Sequence, residues 1–370
     1  MERRALRHFD YGLLLLAGAL VAYGGLLIYS ASLTAYPDGI AGLNHPVIKQ
    51  AIFAAFGLAM MAVIAWTDYR VFGQMAPALY ALAILILIVV LFLGESAFGS
   101  RRWITLGGTQ IQASEVAKLL TIVALARFLA DQQRQITRVR VFLASLALAA
   151  LPAVLVMAEP DMGTSLIFGA IWVGMVLMAG ARLQHMLILI GFLLASIPFA
   201  ALAVLGGYQR DRIALFFNPN SDPLGGGYNI LQGEISVGSG GIFGKGLTNG
   251  SQTQLDFLRT PATDYIFSVL GEELGLIGAL VLLTLFAALL FRTLRVASLA
   301  RDQFGRLMAT GIAIMILFQV FINIAVNIRL LPVTGIPLPF ISQGGSSLIM
   351  LFIALGLLQS VLLRHRQLEF

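Results

Sequence analysis

Apolar and polar positions in this chain are grouped in long blocks. Ten apolar stretches, each near the ~20 residues that span a hydrocarbon core, predict ten helices: roughly 11–30, 48–66, 76–94, 114–130, 141–158, 162–180, 184–206, 264–291, 307–329 and 341–363. Between the seventh and eighth lies the one long polar segment, Gly207 to Thr263, made of glycine, amides and scattered charges. The predicted fold is all-α: a polytopic integral membrane protein whose residues 1–370 form a single membrane domain, with 207–263 a large extracytoplasmic loop inside it. The sequence shows no linker, low-complexity segment or internal repeat.

Composition agrees with the pattern. Hydrophobic residues make up 59% of the chain and charged residues 11%, against about 25% charged in a soluble domain. The first apolar run, Tyr11 to Ile28, exceeds the ~7–15 residues of a cleaved signal core, so it reads as an uncleaved helix. Ten helices put both termini on one side, and Lys and Arg decide which. One set of ends holds Arg3, Arg4, Arg7, Arg70, Arg127, Arg134, Arg138, Arg140, Arg182, Arg292, Arg295, Arg301, Arg306, Arg364 and Arg366, the larger share of the 24 basic residues. This predicts cytoplasmic termini and a long loop facing outward. The net charge of +6 then sets orientation. Nucleic-acid binding would need a basic patch on a soluble module, so no nucleic acid is expected as a partner. Cysteine is absent, which removes disulfides and thiolate metal sites. His8, His45, His185 and His365 are too scattered to form a metal cluster.

Charged residues in or beside membrane helices are costly and usually functional. Here they are Glu115, Lys118, Glu159, Asp161, Asp264, Glu272, Glu273 and Arg329, all placed by the pattern in the outer half or at the outer edge. A coupled transporter would put ionisable groups near the midplane. Glu115 and Lys118, three apart, share a helix face; they read first as a structural ion pair and alternatively as the ordered wall of a substrate cavity. Glu159-Pro160-Asp161-Met162-Gly163 makes a sharp turn carrying two carboxylates. Pro332 to Pro339 reads as irregular backbone, with a re-entrant course one option. Asp264, Ser268, Gly271, Gly275 and Gly278 follow one helix face. Close packing accounts for the glycines, whereas Asp264 reads either as a general base of raised pKa or as a helix N-cap, with Thr263 competing for that role. In the loop, Arg210, Arg212, Lys245 and Arg259 supply positive charge. Gly238-Ser239-Gly240-Gly241 and Gly244-Lys245-Gly246 supply backbone amides suited to phosphate.

At these residues the chain resembles the SEDS family of membrane glycosyltransferases (shape, elongation, division and sporulation). The likeness runs over nearly the whole chain. It is carried by Arg101-Arg102-Trp103, Ser114-Glu115-Val116-Ala117-Lys118, Pro160-Asp161-Met162-Gly163-Thr164-Ser165, Tyr208-Gln209-Arg210, Asn218-Pro219 and Asp222-Pro223-Leu224-Gly225. It continues in Gly227-Tyr228, Thr263-Asp264-Tyr265-Ile266-Phe267, Gly271-Glu272-Glu273-Leu274-Gly275 and the stretch from Asn323 through Pro332 and Gly335 to Ser342 and Gly344-Gly345-Ser346-Ser347. Gln252 to Leu258 looks more like the elongation branch than the division branch. Two positions depart from the family pattern. Arg259-Thr260-Pro261-Ala262 stands where relatives commonly read Pro-Glu-x-His, and Gln343 stands where tyrosine is common.

The resemblance implies polymerisation of lipid II into β-1,4 glycan strands at the outer face of the bacterial cytoplasmic membrane. The implied partners are a class B penicillin-binding protein and other elongation-complex membrane proteins, and the implied catalytic residue is Asp264. An α-linked donor and a β product require one inversion, hence one base and no covalent intermediate. Arg210, Lys245 or Arg259, or a divalent cation such as Mg or Mn, would match the charge of the leaving pyrophosphate. Asp264, Glu272 or Asp161 would hold such a cation, and Glu115 with Lys118 would order the substrate cavity. A lipid II flippase and a non-catalytic scaffold are the rival readings.

Overall fold

Within the described residues the apolar blocks become helices, because backbone surrounded by hydrocarbon can pair its N–H and C=O groups only within the segment. The computed structural model describes residues 9–36, 39–40, 42–97, 100–106, 109–192, 207–222 and 225–364. Within these run α1 Tyr11–Ser32, α2 Pro46–Trp66, α3 Tyr69–Gln74, α4 Ala76–Leu93, α5 Ala113–Asp131, α6 Val139–Ala158 and α7 Met162–Met178. α8 Leu183–Phe192 follows, then α9 Gly207–Phe217, α10 Gly226–Ser239, α11 Ser251–Gln254, α12 Ile266–Leu299, α13 Gln303–Asn327 and α14 Gly345–Leu363. Seven of them, α1, α2, α4, α6, α12, α13 and α14, are long and apolar enough to cross a membrane, and α7 and α8 are shorter apolar helices. The predicted seventh span continues past Phe192 into 193–206, which lie outside the described residues, as do Arg3, Arg4, Arg7, His8, Pro223, Leu224, His365 and Arg366. α13 and α14 form the centre of the bundle, with 67% and 78% of their spans buried, while α2 and α4, at 22% each, turn most of their surface to lipid.

Three features differ from the sequence reading. Between α4 and α5 the chain forms a small antiparallel sheet of β1 Glu95–Ala97, β2 Ser100–Leu106 and β3 Thr109–Gln112, in the order β1-β2-β3. The long polar segment is not irregular, since α9, α10 and α11 occupy much of it. And α12 is not one continuous face: Gly275 has φ 63° and ψ −158°, which breaks the helix. Beyond the break, residues 276–299 still extend about 36 Å at ~1.5 Å per residue, enough for the hydrocarbon core.

The break is satisfied by the glycine-rich loop after α10. Lys245 N and Gly246 N donate to Glu272 O and Glu273 O at 3.0 and 2.9 Å. Leu276 N and Ile277 N donate in return to Gly241 O and Ile242 O at 3.0 and 3.1 Å. The amides of Lys245 and Gly246 are thereby consumed in backbone pairing, so the phosphate nest read from the sequence is not open at these positions. Below the break the buried carboxylates have their own partners. Glu272 accepts from Lys245 Nζ at 2.7 Å, Ser251 Oγ at 3.1 Å, Gln252 N at 3.0 Å and Thr253 Oγ1 at 3.3 Å. Glu273 accepts from Ser30 Oγ of α1 at 2.5 Å.

Polar contacts gather at the two ends of the bundle. At one end Asp10 caps α1 and pairs with Arg292 at 2.5 Å, Gln359 Nε2 donates to Asp10 O at 2.8 Å, and Arg70 and Arg364 pair with Asp302 and Asp68. At the other lie Arg102–Asp161, Lys245–Glu272 and Arg329–Glu234. Among these, the basic residues of the two sets separated by sequence fall at opposite ends. In α5, Lys118 Nζ meets Glu115 Oε1 at 2.8 Å with 1% and 4% exposure, so both charges are out of water.

Two outcomes follow for thermal unfolding in detergent. Gly275 occupies a backbone region that only glycine adopts without strain, at about 1–3 kcal/mol for other residues, and an added Cβ would lie 2.4 Å from Gly244 N. Gly275→Ala should therefore lower the melting temperature sharply, while Gly169→Ala in α7, where nothing lies within 4 Å, should be neutral or gain up to ~1 kcal/mol. Lys118→Met strands the Glu115 carboxylate and should cost about 3–5 kcal/mol, most of it regained in Glu115→Gln/Lys118→Met. Equal stability of single and double variants would exclude an ion-pair effect.

Candidate active site

The backbone leading into Asp264 is fixed by three successive carbonyls. Ala262 O accepts from Gln343 N at 2.9 Å, Thr263 O from Ser342 Oγ at 2.6 Å, and Asp264 O from Asn327 Nδ2 at 2.9 Å. Asn323 Nδ2 adds a longer bond to Asp264 O at 3.4 Å and a shorter one to Ile336 O at 2.8 Å. α12 begins at Ile266, preceded by Tyr265, and no side chain at that position caps it. Asp264 is thus not the N-cap. That job falls to α13, where Asn327 Oδ1 accepts from Ser268 N at 3.0 Å and from Ser268 Oγ at 2.7 Å.

Asp264 is partly exposed as a residue, and two guanidinium groups, those of Arg212 and Arg102, act on its carboxyl. A Cβ built on Gly335 would lie 3.9 Å from Asp264 Oδ2 and 3.8 Å from Arg102 Nη1. Gly335, at φ 73°, therefore leaves an opening between carboxylate and guanidinium that a larger residue would fill. Arg102 stands on β2. Its Nη2 donates to Pro160 O, its Nε to Glu159 O at 3.4 Å, and its Nη1 lies 3.6 Å from Asp161 Oδ2. Arg212 comes from α9 and is anchored by Nη1 donating to Val333 O at 2.8 Å. The irregular Pro332–Pro339 segment thus lends its carbonyls to hold site residues, which explains how irregular backbone is tolerated here.

Electrostatics set the character of these acids. Burial pushes the Asp264 carboxyl above the ordinary aspartate range; Arg212 and Arg102 pull it down, Asp161 adds to the rise, and a hydrogen bond with Thr263 opposes it. Glu159, at the end of α6, is 1% exposed. Burial pushes its carboxyl up to about 8, with Asp161 adding and Arg102 subtracting.

The structure brings together some of the residues singled out by sequence and separates others. Asp161 lies within electrostatic reach of Asp264, but its oxygens accept from Thr164 N at 3.1 Å, Thr164 Oγ1 at 2.9 Å and Gln112 Nε2 at 3.4 Å. Glu272 and Lys245 belong to the separate network at the helix break. Arg210 is on α9 two residues from Arg212, positions that do not share a helix face, and it is exposed. Arg259 is also exposed, with its N donating to Asn229 Oδ1 at 3.4 Å. Glu115 and Lys118 sit in the bundle core as a closed pair. Two residues that act electrostatically on Asp264, Arg102 and Arg212, were missed in that role. Arg102 was visible only as part of a motif, and Arg212 only as one of four loop cations.

A divalent cation meets a limited donor set. Among the described residues no three His, Cys, Asp or Glu side chains converge on one point. Asp161 and Glu272 have committed oxygens, so of the three candidates Asp264 is the one with open surface. A Mg-like ion that takes one or two carboxylates and fills its shell with water and substrate phosphate fits such a site. An all-protein cage does not.

The site can now be set beside known proteins. The family model described as cell cycle protein, covering FtsW, RodA and SpoVE, matches residues 11–367. Peptidoglycan glycosyltransferase MrdB of Escherichia coli (strain K12) is 38% identical over 354 residues, 96% of this chain and 93% of that protein. Stage V sporulation protein E of Bacillus subtilis (strain 168) is 38% identical over 355 residues, 95% of this chain and 96% of that one. A chain from a peptidoglycan synthase complex, described for its coordination of polymerization and crosslinking, matches with a TM-score of 0.82 at 31% identity, covering 97% of this chain and 99% of that one. The rod shape determining protein RodA of Thermus thermophilus matches with a TM-score of 0.70 at 30% identity, covering 96% of each chain. Matched along almost its whole length by the family model and by these relatives, the chain belongs to the FtsW, RodA and SpoVE family, the SEDS membrane glycosyltransferases.

Proposed function

We propose that this chain polymerises lipid II into β-1,4-linked glycan strands at the outer face of the bacterial cytoplasmic membrane, with Asp264 as the base. The protein is a peptidoglycan glycosyltransferase that serves cell elongation and rod shape. The observation that carries the assignment of the base is one arrangement. Asp264, a partly exposed residue whose carboxyl has its pKa raised by burial, faces Arg102 across the opening at Gly335 and lies within electrostatic reach of Arg212.

The reaction needs one proton taken and one charge matched. The acceptor sugar's 4-hydroxyl loses its proton to an Asp264 oxygen as its own oxygen bonds to C1 of the donor. The bond from C1 to the pyrophosphate oxygen breaks, and the lipid pyrophosphate leaves with the electron pair. Fixed positive groups aimed where that charge appears stabilise the transition state without reorganising. Arg102 and Arg212 are such groups, and their carbonyl anchors hold them in place. Guanidinium forks suit phosphate oxygens. A divalent cation, held by Asp264 and the substrate's phosphates, would add Lewis-acid stabilisation to the leaving group. The positive-inside pattern supports placing the Asp264 end of the bundle outward, with both termini cytoplasmic. The likeness to a chain from a complex that couples polymerization to crosslinking supports a class B penicillin-binding protein as partner.

The test uses the purified chain in detergent with labelled lipid II and Mg, with and without a class B penicillin-binding protein, and products separated by size. Asp264→Asn should keep its melting temperature and lose at least a hundredfold in rate, given the ~10²–10⁴ that a positioned base contributes. An active Asp264→Asn removes the base assignment. No polymer under any condition, together with lipid II crossing the bilayer when the same chain is reconstituted into vesicles, favours the flippase. The pH profile supplies a second outcome. A base works only above its pKa, so the acid limb of kcat/KM should lie above pH ~4, the ordinary aspartate value. Arg212 stabilises the charged carboxylate; Arg212→Gln should therefore raise the Asp264 pKa and move that limb to higher pH. An unmoved limb would separate Arg212 from Asp264.

A further inference from the structure

We infer that Asn327, at the last turn of α13, is a positioning residue for the Asp264 carboxylate, acting through the backbone of α12. The inference rests on the reading of Asp264 as the base, and goes beyond it by assigning the group that holds that base in place.

Asn327 is 2% exposed, and its side-chain amide is used on both sides. Nδ2 donates to Asp264 O at 2.9 Å and to Asn323 O of its own helix at 2.9 Å. Oδ1 accepts from Ser268 Oγ at 2.7 Å and from Ser268 N at 3.0 Å. Ser268 N is shared with Tyr265 O, at 2.9 Å. An amide is the short side chain that can donate to one strand of backbone and accept from another at once. Here the donor side grips Asp264, two residues before the helix, and the acceptor side grips its first turn. The two bonds span Asp264 to Ser268 and fix the angle at which the chain enters α12.

A carboxylate on a short side chain goes where its Cα goes. Asp264 has one methylene between backbone and carboxyl, so a small rotation of its peptide moves the oxygens relative to Arg102, Arg212 and the acceptor hydroxyl. Misplacement of a reacting group by about 1 Å can cost 10²-fold in rate. Ser342 and Gln343 hold the carbonyls of Thr263 and Ala262, but Asn327 and, at 3.4 Å, Asn323 hold that of Asp264 itself. Leucine has the shape of asparagine and neither of its hydrogen-bonding groups. Aspartate keeps the acceptor for Ser268 and loses the donor to Asp264 O. Ser268→Ala does the reverse, removing one acceptor contact and leaving the grip on Asp264.

The experiment measures two things on the full chain in detergent. The first is steady-state polymerisation of lipid II. Asn327→Leu and Asn327→Asp should each lower kcat at least thirtyfold with KM within threefold of wild type, and Ser268→Ala should keep kcat within threefold. The second readout needs no catalysis. The chain has no cysteine, so in Asp264→Cys a charged thiosulfonate reagent reports on position 264 alone. Adding Asn327→Leu, or Asn327→Asp should the leucine variant not fold, should change the labelling rate at least fivefold. If kcat in both Asn327 variants stays within threefold, or labelling is unaltered, the inference is overturned. Full activity in Asn327→Asp alone would reduce Asn327 to a helix cap and overturn it equally. An active Asp264→Asn together with an altered labelling rate would remove the base and leave the positioning role standing.

Discussion

In hydrocarbon a helix can stop or break only where something else takes up the hydrogen bonds it gives up. The Asp264 end of this bundle is made of such interruptions. At Gly275 the freed groups of α12 are met by Gly241, Ile242, Lys245 and Gly246 of the loop after α10. At the start of α12 the N–H of Ser268 is shared between Tyr265 O and Asn327 Oδ1, and the carbonyls of residues 262 to 264 are met by Gln343, Ser342 and Asn327. The irregular stretch after α13 survives on the same terms, with Val333 O taken by Arg212 and Ile336 O by Asn323. Each interruption is closed by a residue far away in sequence. The Asp264 end is therefore tied together by pairings between distant segments.

This constraint places the chemistry. A polar crevice in a membrane protein must be framed by groups already satisfied, or water and lipid would disorder it. Here β2, α9, the α6–α7 turn and the segment before α14 converge on Asp264, each held by carbonyl or carboxylate partners. Arg102 illustrates the economy: one guanidinium closes the turn at Glu159 and Pro160, pairs with Asp161 and still borders Gly335 opposite Asp264. In the proposed reaction, preorganised charge of this kind would stabilise the leaving pyrophosphate, because its hydrogen bonds need no rearrangement.

Hydropathy located the membrane helices because span length and apolar composition are local properties. The place of Asp264 just ahead of α12 was legible for the same reason, as a carboxylate directly ahead of an apolar run. The Glu115–Lys118 pair was legible from its spacing of three. Pairings across long stretches of chain were not. Arg102 reaches Asp161 across 59 residues and Arg212 reaches Val333 across 121. Neither register is written in a local pattern. The choice of Arg210 over Arg212 needed the phase of α9, which a mixed segment does not reveal. Gly275 was read as part of a smooth small-residue face because a glycine required for packing and a glycine required for positive φ look alike in sequence. Asn327 was missed because it sits in an apolar run, where a lone amide reads as part of the span; what betrays it is the carbonyl it holds.

The buried acids of this protein divide by what their oxygens are already doing. Glu272 accepts four hydrogen bonds and Glu115 a lysine at 2.8 Å. Asp161 caps α7 and pairs with Arg102. Acids so engaged hold structure, since a carboxylate whose lone pairs are occupied is a poor acceptor for a further proton. Asp264 differs from these three: its backbone carries the structural bonds, through Asn327 and Asn323, while the residue stays partly exposed and two cations act on its carboxyl. Dividing the labour within one residue lets a rigid peptide present a reactive carboxylate. It also explains why an acid at a helix start, where capping is the usual use, is relieved of the cap by an asparagine from the neighbouring helix.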